Sequence, residues 1–252
     1  MRWTVDFQEH DPNVASIGKK LGASLKKLIF REVQVTGFQD LSAGFRRLDL
    51  SGDSLRGARC APGDKVQLAL EHGPRTYSPF AWDGVRGAMS LLLYRHGDTS
   101  SVRWANGVAD GERLYVFGPR GSLGPGASSG PLVLFGDETS FGVARALLDA
   151  RGFESELCFV FEGSGRNELS SVLAALQLPG AALIERREDE RHLAEVEERL
   201  RAALTLSPES RLVLTGKAQS IQTLRKSLKA RPVPHAGQIV KAYWSPGKRG
   251  LD

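Results

Sequence analysis

Between Arg31 and Gly130 the apolar residues fall in short runs, REVQVTGF, FRRLDLSG, KVQLALEH, AMSLLLYRH and RLYVFGP, punctuated by glycine, proline and aspartate. Several alternate apolar with polar side chains, the period of half-buried antiparallel strands, and together they predict a small antiparallel β-barrel. A single helix is expected within it, SVRWANGVA at 101–109. From Pro131 the rhythm changes. PLVLFG, ELCFVFE, AALIER, RLVLTG and QIVKAYW are apolar without alternation, as strands covered on both faces are. Between them lie segments of helical period, carried by Phe141, Ala144, Leu147 and Leu148, then ELSSVLAAL, then Leu193, Val196, Leu200 and Leu204, then Ile221, Leu224 and Leu228. Five strands joined by four crossovers predict a doubly wound α/β domain with a parallel sheet.

The change of rhythm falls in GSLGPGASSGP at 121–131, whose glycine, proline and serine content is that of a linker. The chain therefore divides into an N-terminal extension (1–30), a barrel (31–129) and an α/β domain (130–252). In the extension, ASIGKKLGASLKKLIF puts Ile17, Leu21, Leu25, Leu28 and Ile29 on one helical face and lysines elsewhere. That amphipathic basic helix suits packing on the barrel with its lysines in water better than docking on a membrane or partner.

Composition narrows the chemistry. No apolar run approaches the ~20 residues that span a bilayer, and the start, MRWTVDFQEHD, lacks the basic and apolar regions of a signal peptide, so a cytoplasmic location without a membrane span is expected. The two cysteines, Cys60 and Cys158, offer neither a disulfide framework nor a CxxC metal site, and the five histidines show no HExxH or HxH spacing. Redox chemistry would need an organic cofactor. The net charge of +5 draws anions to the surface without choosing among them. Aromatic residues do not interleave with the lysines as a nucleic-acid stacking platform requires, so no nucleic-acid partner is expected. There is no GxSxG elbow, and Ser24-Leu25-Lys26-Lys27 matches SxxK without its companion motifs.

Arg75-Thr76-Tyr77-Ser78 is the most informative stretch of the first half. A flavin dinucleotide needs a cation at its pyrophosphate, an aromatic plane beside its ring and a small donor near the ring's reactive nitrogen. In an extended segment Arg75 and Tyr77 project on one face and Ser78 follows. An edge strand with a surface arginine fits the same pattern. Further on, Thr99, Ser100 and Ser101 precede the short helix, where they suit either a phosphate clamp or ordinary capping. In the second half, Gly136-Asp137-Glu138-Thr139 lies where the first strand of the parallel sheet meets its helix, and Gly216-Lys217-Ala218 lies at the end of the fourth strand, both at the edge where such sheets bind ligands. Neither is a GxGxxG. Glu162 ends the second strand, where a carboxylate favours NADH, while nearby Arg166 suits the 2′-phosphate of NADPH.

Taken in order, RTYS followed by PF, HGDTSSVRWA, GPRGS, GDET, GKA and the terminal KAYW resemble the siderophore-interacting protein family, a branch of the ferredoxin-reductase-like flavoproteins, over 31–244. The resemblance implies FAD in the barrel, NADPH or NADH in the α/β domain, and electron transfer to ferric iron held by a siderophore, with a ferredoxin as the alternative donor and a monomer as the working form. By position it implies that Arg75, Thr76, Tyr77, Ser78, Tyr94, Arg95, His96, Thr99, Ser100 and Ser101 hold FAD, with Ser78 near flavin N5. It also implies that Gly136, Asp137, Glu138, Thr139 and Gly216 hold the nicotinamide nucleotide. Lys241, Arg120 and Lys217 are the basic side chains implied for the anionic ferric complex. Lys217 stands where an acidic residue is common, and Ser-Phe-Gly follows GDET in place of the usual Ala-Leu-Pro-Ala. A general flavin oxidoreductase without siderophore specificity, and a non-enzymatic basic binding protein, are the competing readings.

Overall fold

A computed structural model describes residues 30–124, 127, 129–152 and 156–247. The amphipathic helix expected before residue 30 lies outside the described residues. The first half is an antiparallel sheet of seven strands in the order β4-β3-β7-β1-β2-β6-β5. Its strands are β1 (Arg31–Asp40), β2 (Phe45–Ser51), β3 (Lys65–Leu70), β4 (Gly73–Tyr77), β5 (Ala81–Asp83), β6 (Ala88–Tyr94) and β7 (Arg113–Arg120). The run KVQLALEH, read as one strand, ends at Leu70, and Glu71 and His72 lead into β4. Strand β4 is an edge strand, paired only on one side, Leu68 facing Arg75 and Val66 facing Tyr77. Val33, Val35, Leu48, Leu50, Val66, Leu68, Leu91, Leu93 and Val116 fill the interior of the curled sheet, each two residues from the next on its strand, as the alternation requires. Helix α1 (Ser100–Gly107) leaves after β6 and packs Ala105 onto this core.

The second half is a five-stranded parallel sheet, β10-β9-β8-β11-β12. The strands are β8 (Leu132–Gly136), β9 (Leu157–Gly163), β10 (Ala182–Glu185), β11 (Arg211–Lys217) and β12 (Gly237–Trp244). They alternate with α2 (Phe141–Arg151), α3 (Arg166–Ala175), α4 (His192–Leu206) and α5 (Ala218–Ala230). Leu132 and Leu134 of β8 meet α2 and α3 on one face, while Val133 and Phe135 meet α4 and α5 on the other. Both faces are covered, which is why these strands carry no polar alternation. The chain leaves β8 toward β9 on one side and returns in β11 on the other, so the carboxyl ends of β8 and β11 flank the point where strand order reverses. In doubly wound sheets that point carries the ligand crevice.

The two sheets share a core. Phe45, Phe80 and Leu92 from the first half pack with Phe141, Ala144 and Leu147 of α2. The rings of Phe141 and Phe45 lie 5.6 Å apart, Phe45 and Tyr94 4.8 Å, and Tyr94 and His96 4.8 Å, a continuous aromatic column from the parallel sheet's first helix to the loop after β6. A polar clasp lies beside it. The backbone N–H of Gly44 donates to Glu168 Oε1 of α3 at 2.7 Å. Glu168→Ala should remove this clasp and lower stability by about 1 kcal/mol, the usual net worth of one hydrogen bond. A thermal melt unchanged by the substitution would show the clasp to be dispensable.

Candidate functional site

Strand β4 delivers side chains to two cavities. The first is lined by Arg75, His72, Ser100, Ser101, Arg103 and Trp104, among others. It therefore brings the arginine of RTYS to the start of α1, two pieces of sequence that are 25 or so positions apart. Thr99 is the cap of that helix. Its hydroxyl accepts from Val102 N–H at 3.3 Å and lies 3.0 Å from the Ser101 hydroxyl. Thr99 thus caps the helix, while Ser100 and Ser101 line the cavity together with the Arg75 guanidinium. A cation and the first turn of a helix together favour an anion of the phosphate class.

The second cavity lies where the two sheets meet. Its wall includes Lys65, Thr76, Tyr77, Ser78, Leu92, Tyr94, His96 and Ser122 from the chain before β8, and Glu138, Thr139, Gly142, Lys241 and Tyr243 from the parallel-sheet half. Three tyrosines and His96 give it its ring surfaces. Burial pushes the Tyr77 hydroxyl up to about 12, and it pushes Tyr94 and Tyr243 upward as well, so all three remain neutral phenols. The buried Tyr243 hydroxyl has Ser78 beside it but makes no well-formed hydrogen bond among the described residues.

Behind this wall is a buried polar network. Asp137, wholly buried, caps the turn after β8: its Oδ1 accepts from Thr139 N–H at 2.9 Å and from the Thr139 hydroxyl, and its Oδ2 accepts from Trp244 Nε1 at 2.7 Å. Burial raises its pKa to about 6, the neighbouring Glu138 adds to the rise, and the bonds from Thr139 and Trp244 oppose it. Glu138 is held by Arg186 through paired bonds of 2.9 and 2.7 Å. Burial pulls the Arg186 pKa down, but the bonds and charges of Glu138 and Glu162 outweigh it and keep the guanidinium firmly charged. Glu162 accepts from Ser220 at 2.7 Å and lies 2.8 Å from His192 Nε2. Because His192 Nδ1 accepts the Arg187 N–H at 3.2 Å, the ring proton sits on Nε2 and points at Glu162.

Several expected site residues are placed elsewhere. Arg95 is engaged by Asp40 (3.0 Å), Ser42 (2.8 Å) and Asn106 (3.1 Å) and lines neither cavity, because the turn between β1 and β2 claims its guanidinium. Lys217 pairs with Glu190 at 2.8 Å in the loop before α4, so its charge is already met. Arg120 lies with its Cζ 4.5 Å above the Phe117 ring and is not part of the cavity wall. Glu162, expected at the ribose, is fully buried and bonded on both oxygens. Arg166 is exposed, and the N–H groups of Gly165 and Arg166 are capped by Glu185 at 2.9 and 3.0 Å. Gly136 and Gly216 stand where no side chain fits. A Cβ on Gly136 would come 2.3 Å from that of Ser140, and one on Gly216, whose φ is +95°, would come 2.6 Å from the Asp137 carboxyl carbon. Sequence reasoning missed Tyr243, although KAYW contains it, and Lys65, which opens a strand where lysine reads as surface but is 9% exposed.

The donor set fits a flavin dinucleotide. One extended strand presents a cation toward a helix start and, two residues on, an aromatic ring and a hydroxyl toward a cleft walled by tyrosines, about 7 Å further along at ~3.3 Å per residue. Residues 71–123, which include both RTYS and the start of α1, match the siderophore-interacting FAD-binding domain. The chain is 29% identical, over a 120-residue alignment, to an NADPH-dependent ferric-chelate reductase of Escherichia coli (strain K12), an alignment that takes in 38% of this chain and spans about half (47%) of that relative. Among solved structures, the siderophore-interacting protein of Aeromonas hydrophila superposes with a TM-score of 0.68 at 21% identity, covering 88% of this chain and 93% of that one. The flavohem-like FAD/NAD-binding domain of a nitric oxide dioxygenase from Vibrio cholerae superposes with a TM-score of 0.66 at 19% identity, covering 86% and 100%. The family read from the motifs is the one the domain match returns, and the expected barrel followed by a five-stranded parallel sheet is the architecture these structures share.

Proposed function

We propose that this chain is a flavoprotein reductase that moves electrons from NADPH or NADH, through FAD, to ferric iron in an anionic chelate of the siderophore class. The observation that carries this reading is the path of β4, which places Arg75 beside the start of α1 and Tyr77 and Ser78 in a cleft shared with Glu138, Thr139 and Lys241 of the parallel-sheet half. Arg75, Ser100 and Ser101 would hold the diphosphate of FAD, and Tyr77, Tyr94 and His96 would wall its ring, with the Ser78 hydroxyl near N5. The flavin, when bound, supplies the exchange between two-electron transfer from a nicotinamide and one-electron transfer to iron. Thr139 and the turn it belongs to would contact the nicotinamide nucleotide, and the neutral tyrosines and Leu92 would exclude water from the cleft. Lys241 would draw the anionic chelate to the cleft mouth. Oxygen donors hold Fe(II) less tightly than Fe(III), so reduction would release the metal.

Visible spectroscopy tests this directly. FAD-loaded protein, kept free of oxygen, should lose its flavin band on adding NADH or NADPH and regain it on adding a ferric tris-catecholate chelate; protein that cannot be loaded with FAD would end the proposal. The relation of this chain to a ferredoxin is tested in the same cuvette, since a flavin that no nicotinamide bleaches would require a protein donor. No helix among the described residues is long and apolar enough to cross a membrane, and the cytoplasm, which supplies nicotinamide nucleotides, is the proposed location.

A second reading, a general flavin reductase without preference for siderophores, gains from the loss of two cations: Lys217 is paired and Arg120 stands outside the cleft. Lys241→Ala separates the two. For a siderophore reductase, KM for the anionic chelate should rise about tenfold, the worth of one charge-assisted contact, while reduction of a neutral quinone is unchanged. Equal turnover of both acceptors, before and after the substitution, would select the general reductase.

A further inference from the structure

We infer that Trp244 is a positioning residue for this site: a bulge in the last strand turns its indole onto the buried cap of the first parallel-sheet helix, and that contact holds Lys241 and Tyr243 in the cavity wall. The inference rests on the reductase reading of the cavity and adds a residue that takes no part in the wall itself.

The ladder between β11 and β12 pairs Thr215 with Lys241 and Gly216 with Ala242, and then pairs Lys217 with Trp244. Tyr243 is the extra residue. In a regular strand Lys241 and Tyr243 would share one face and Trp244 would take the other. A bulge of one residue cancels that alternation and re-aims the side chain that follows it. The result is that Tyr243 still lines the cavity while the Trp244 indole reaches past β11 to the turn after the central strand β8 and donates to Asp137 Oδ2 at 2.7 Å. Three independent features converge on that one carboxylate. Gly216, directly before the bulge on the partner strand, has a φ of +95° and no room for a Cβ beside Asp137. Thr139 fills the other carboxylate oxygen. Trp244 fills the last. Asp137 has no exposed surface, so an unmet oxygen there would have no water to turn to.

The carboxylate is followed in sequence by Glu138 and Thr139, both in the cavity wall. The indole therefore ties the nucleotide side of the cleft to the strand that carries Lys241, three residues upstream. Whatever shifts the cap shifts the cation. The charged and titratable groups acting on Asp137 are Glu138 beside it, Arg186 from beyond β10, Tyr94 from β6 and Tyr243 from β12.

The test uses full-length, FAD-loaded protein and two single substitutions, Trp244→Phe, which keeps an apolar ring and removes the donor, and Asp137→Asn. Binding of the redox-inert gallium tris-catecholate, followed by flavin fluorescence, and KM for the ferric chelate should each weaken about tenfold in either variant. The double variant should be no worse than the single ones, FAD affinity should stay within about twofold in both, and kcat should stay within about twofold in Trp244→Phe. Additive losses, an unchanged KM in Trp244→Phe, or an equal fall in FAD affinity would overturn the inference. The indole N–H resonance of Trp244, assigned by its absence from Trp244→Phe, gives a readout independent of turnover. It should shift with pH around a midpoint near 6 in the wild type and stay still in Asp137→Asn; a resonance that ignores pH in the wild type would equally overturn it. Should the wild type reduce no ferric chelate, the reductase reading fails on its own, and the gallium binding and indole titration still decide the role of Trp244.

Discussion

Arg75→Ala should emerge from purification colourless, with an affinity for added FAD about 100-fold weaker than that of the unaltered protein. The guanidinium faces the start of α1 across a cavity that Ser100, Ser101 and Arg103 also line. Arg103 is paired with Asp98, and a charge-assisted, two-pronged contact from Arg75 to a diphosphate is among the strongest a side chain makes. A loss of about 2.7 kcal/mol corresponds to that factor of 100. The fold should survive, because Arg75 sits on an edge strand and its guanidinium bonds the carbonyl of the preceding Pro74 at 2.9 Å. Quenching of FAD fluorescence on titration into apoprotein measures the affinity, and a melting curve checks the fold. An affinity equal to the wild type would remove Arg75 from the cofactor site and return β4 to a plain edge strand.

The second large effect is on stability. Arg186→Met should destabilise the protein by roughly 3–5 kcal/mol, the range for stripping one partner from a buried ion pair. Glu138, 2% exposed, and Glu162, not exposed at all, would both lose their cation. At about 2–4 °C per kcal/mol for a chain of this size, the melting temperature should fall by about 10 °C. Adding Glu138→Gln to Arg186→Met should recover a good part of that loss, since the stranded charge is gone. If the double variant melted lower than Arg186→Met by the full cost of Glu138→Gln alone, the two side chains would be independent and the network would not be one.

This network was not legible in the sequence, and the reason is physical. Glu162 stands at the end of a strand, where a carboxylate reads as a ribose ligand, but whether it points to the crevice or into the sheet depends on what covers it. His192 and Ser220, 30 and 58 positions away, reach it from α4 and α5 and bury it. Lys217 reads as a free cation at the ligand edge, and Glu190 of another loop neutralises it. Arg95, next to two residues that flank the cavity, is claimed by Asp40 and the turn after β1. In each case the residue type was informative and its partner was not, because partners come from other elements.

The aromatic column shows the same division. Phe45 and Phe141 are plain core residues by their periodicity, and nothing in either segment says that their rings stack 5.6 Å apart across the junction of the two halves. Trp244 sits inside a recognised terminal motif, yet its reach to Asp137 depends on a bulge that a strict two-residue alternation does not predict.

The pattern of apolar positions by itself determined the two architectures, the change between them near 121–131, and the strand and helix on which Arg75 and Ser100-Ser101 come to line one cavity. Those are consequences of local period and of turn residues, which act over a few positions of chain. Tertiary structure alone decided which charges are free to meet a ligand. A buried carboxylate or guanidinium must find its counter-group wherever the fold brings one, and the long-range contacts that do so, Trp244 to Asp137 and Arg186 to Glu138, leave no mark in the local sequence.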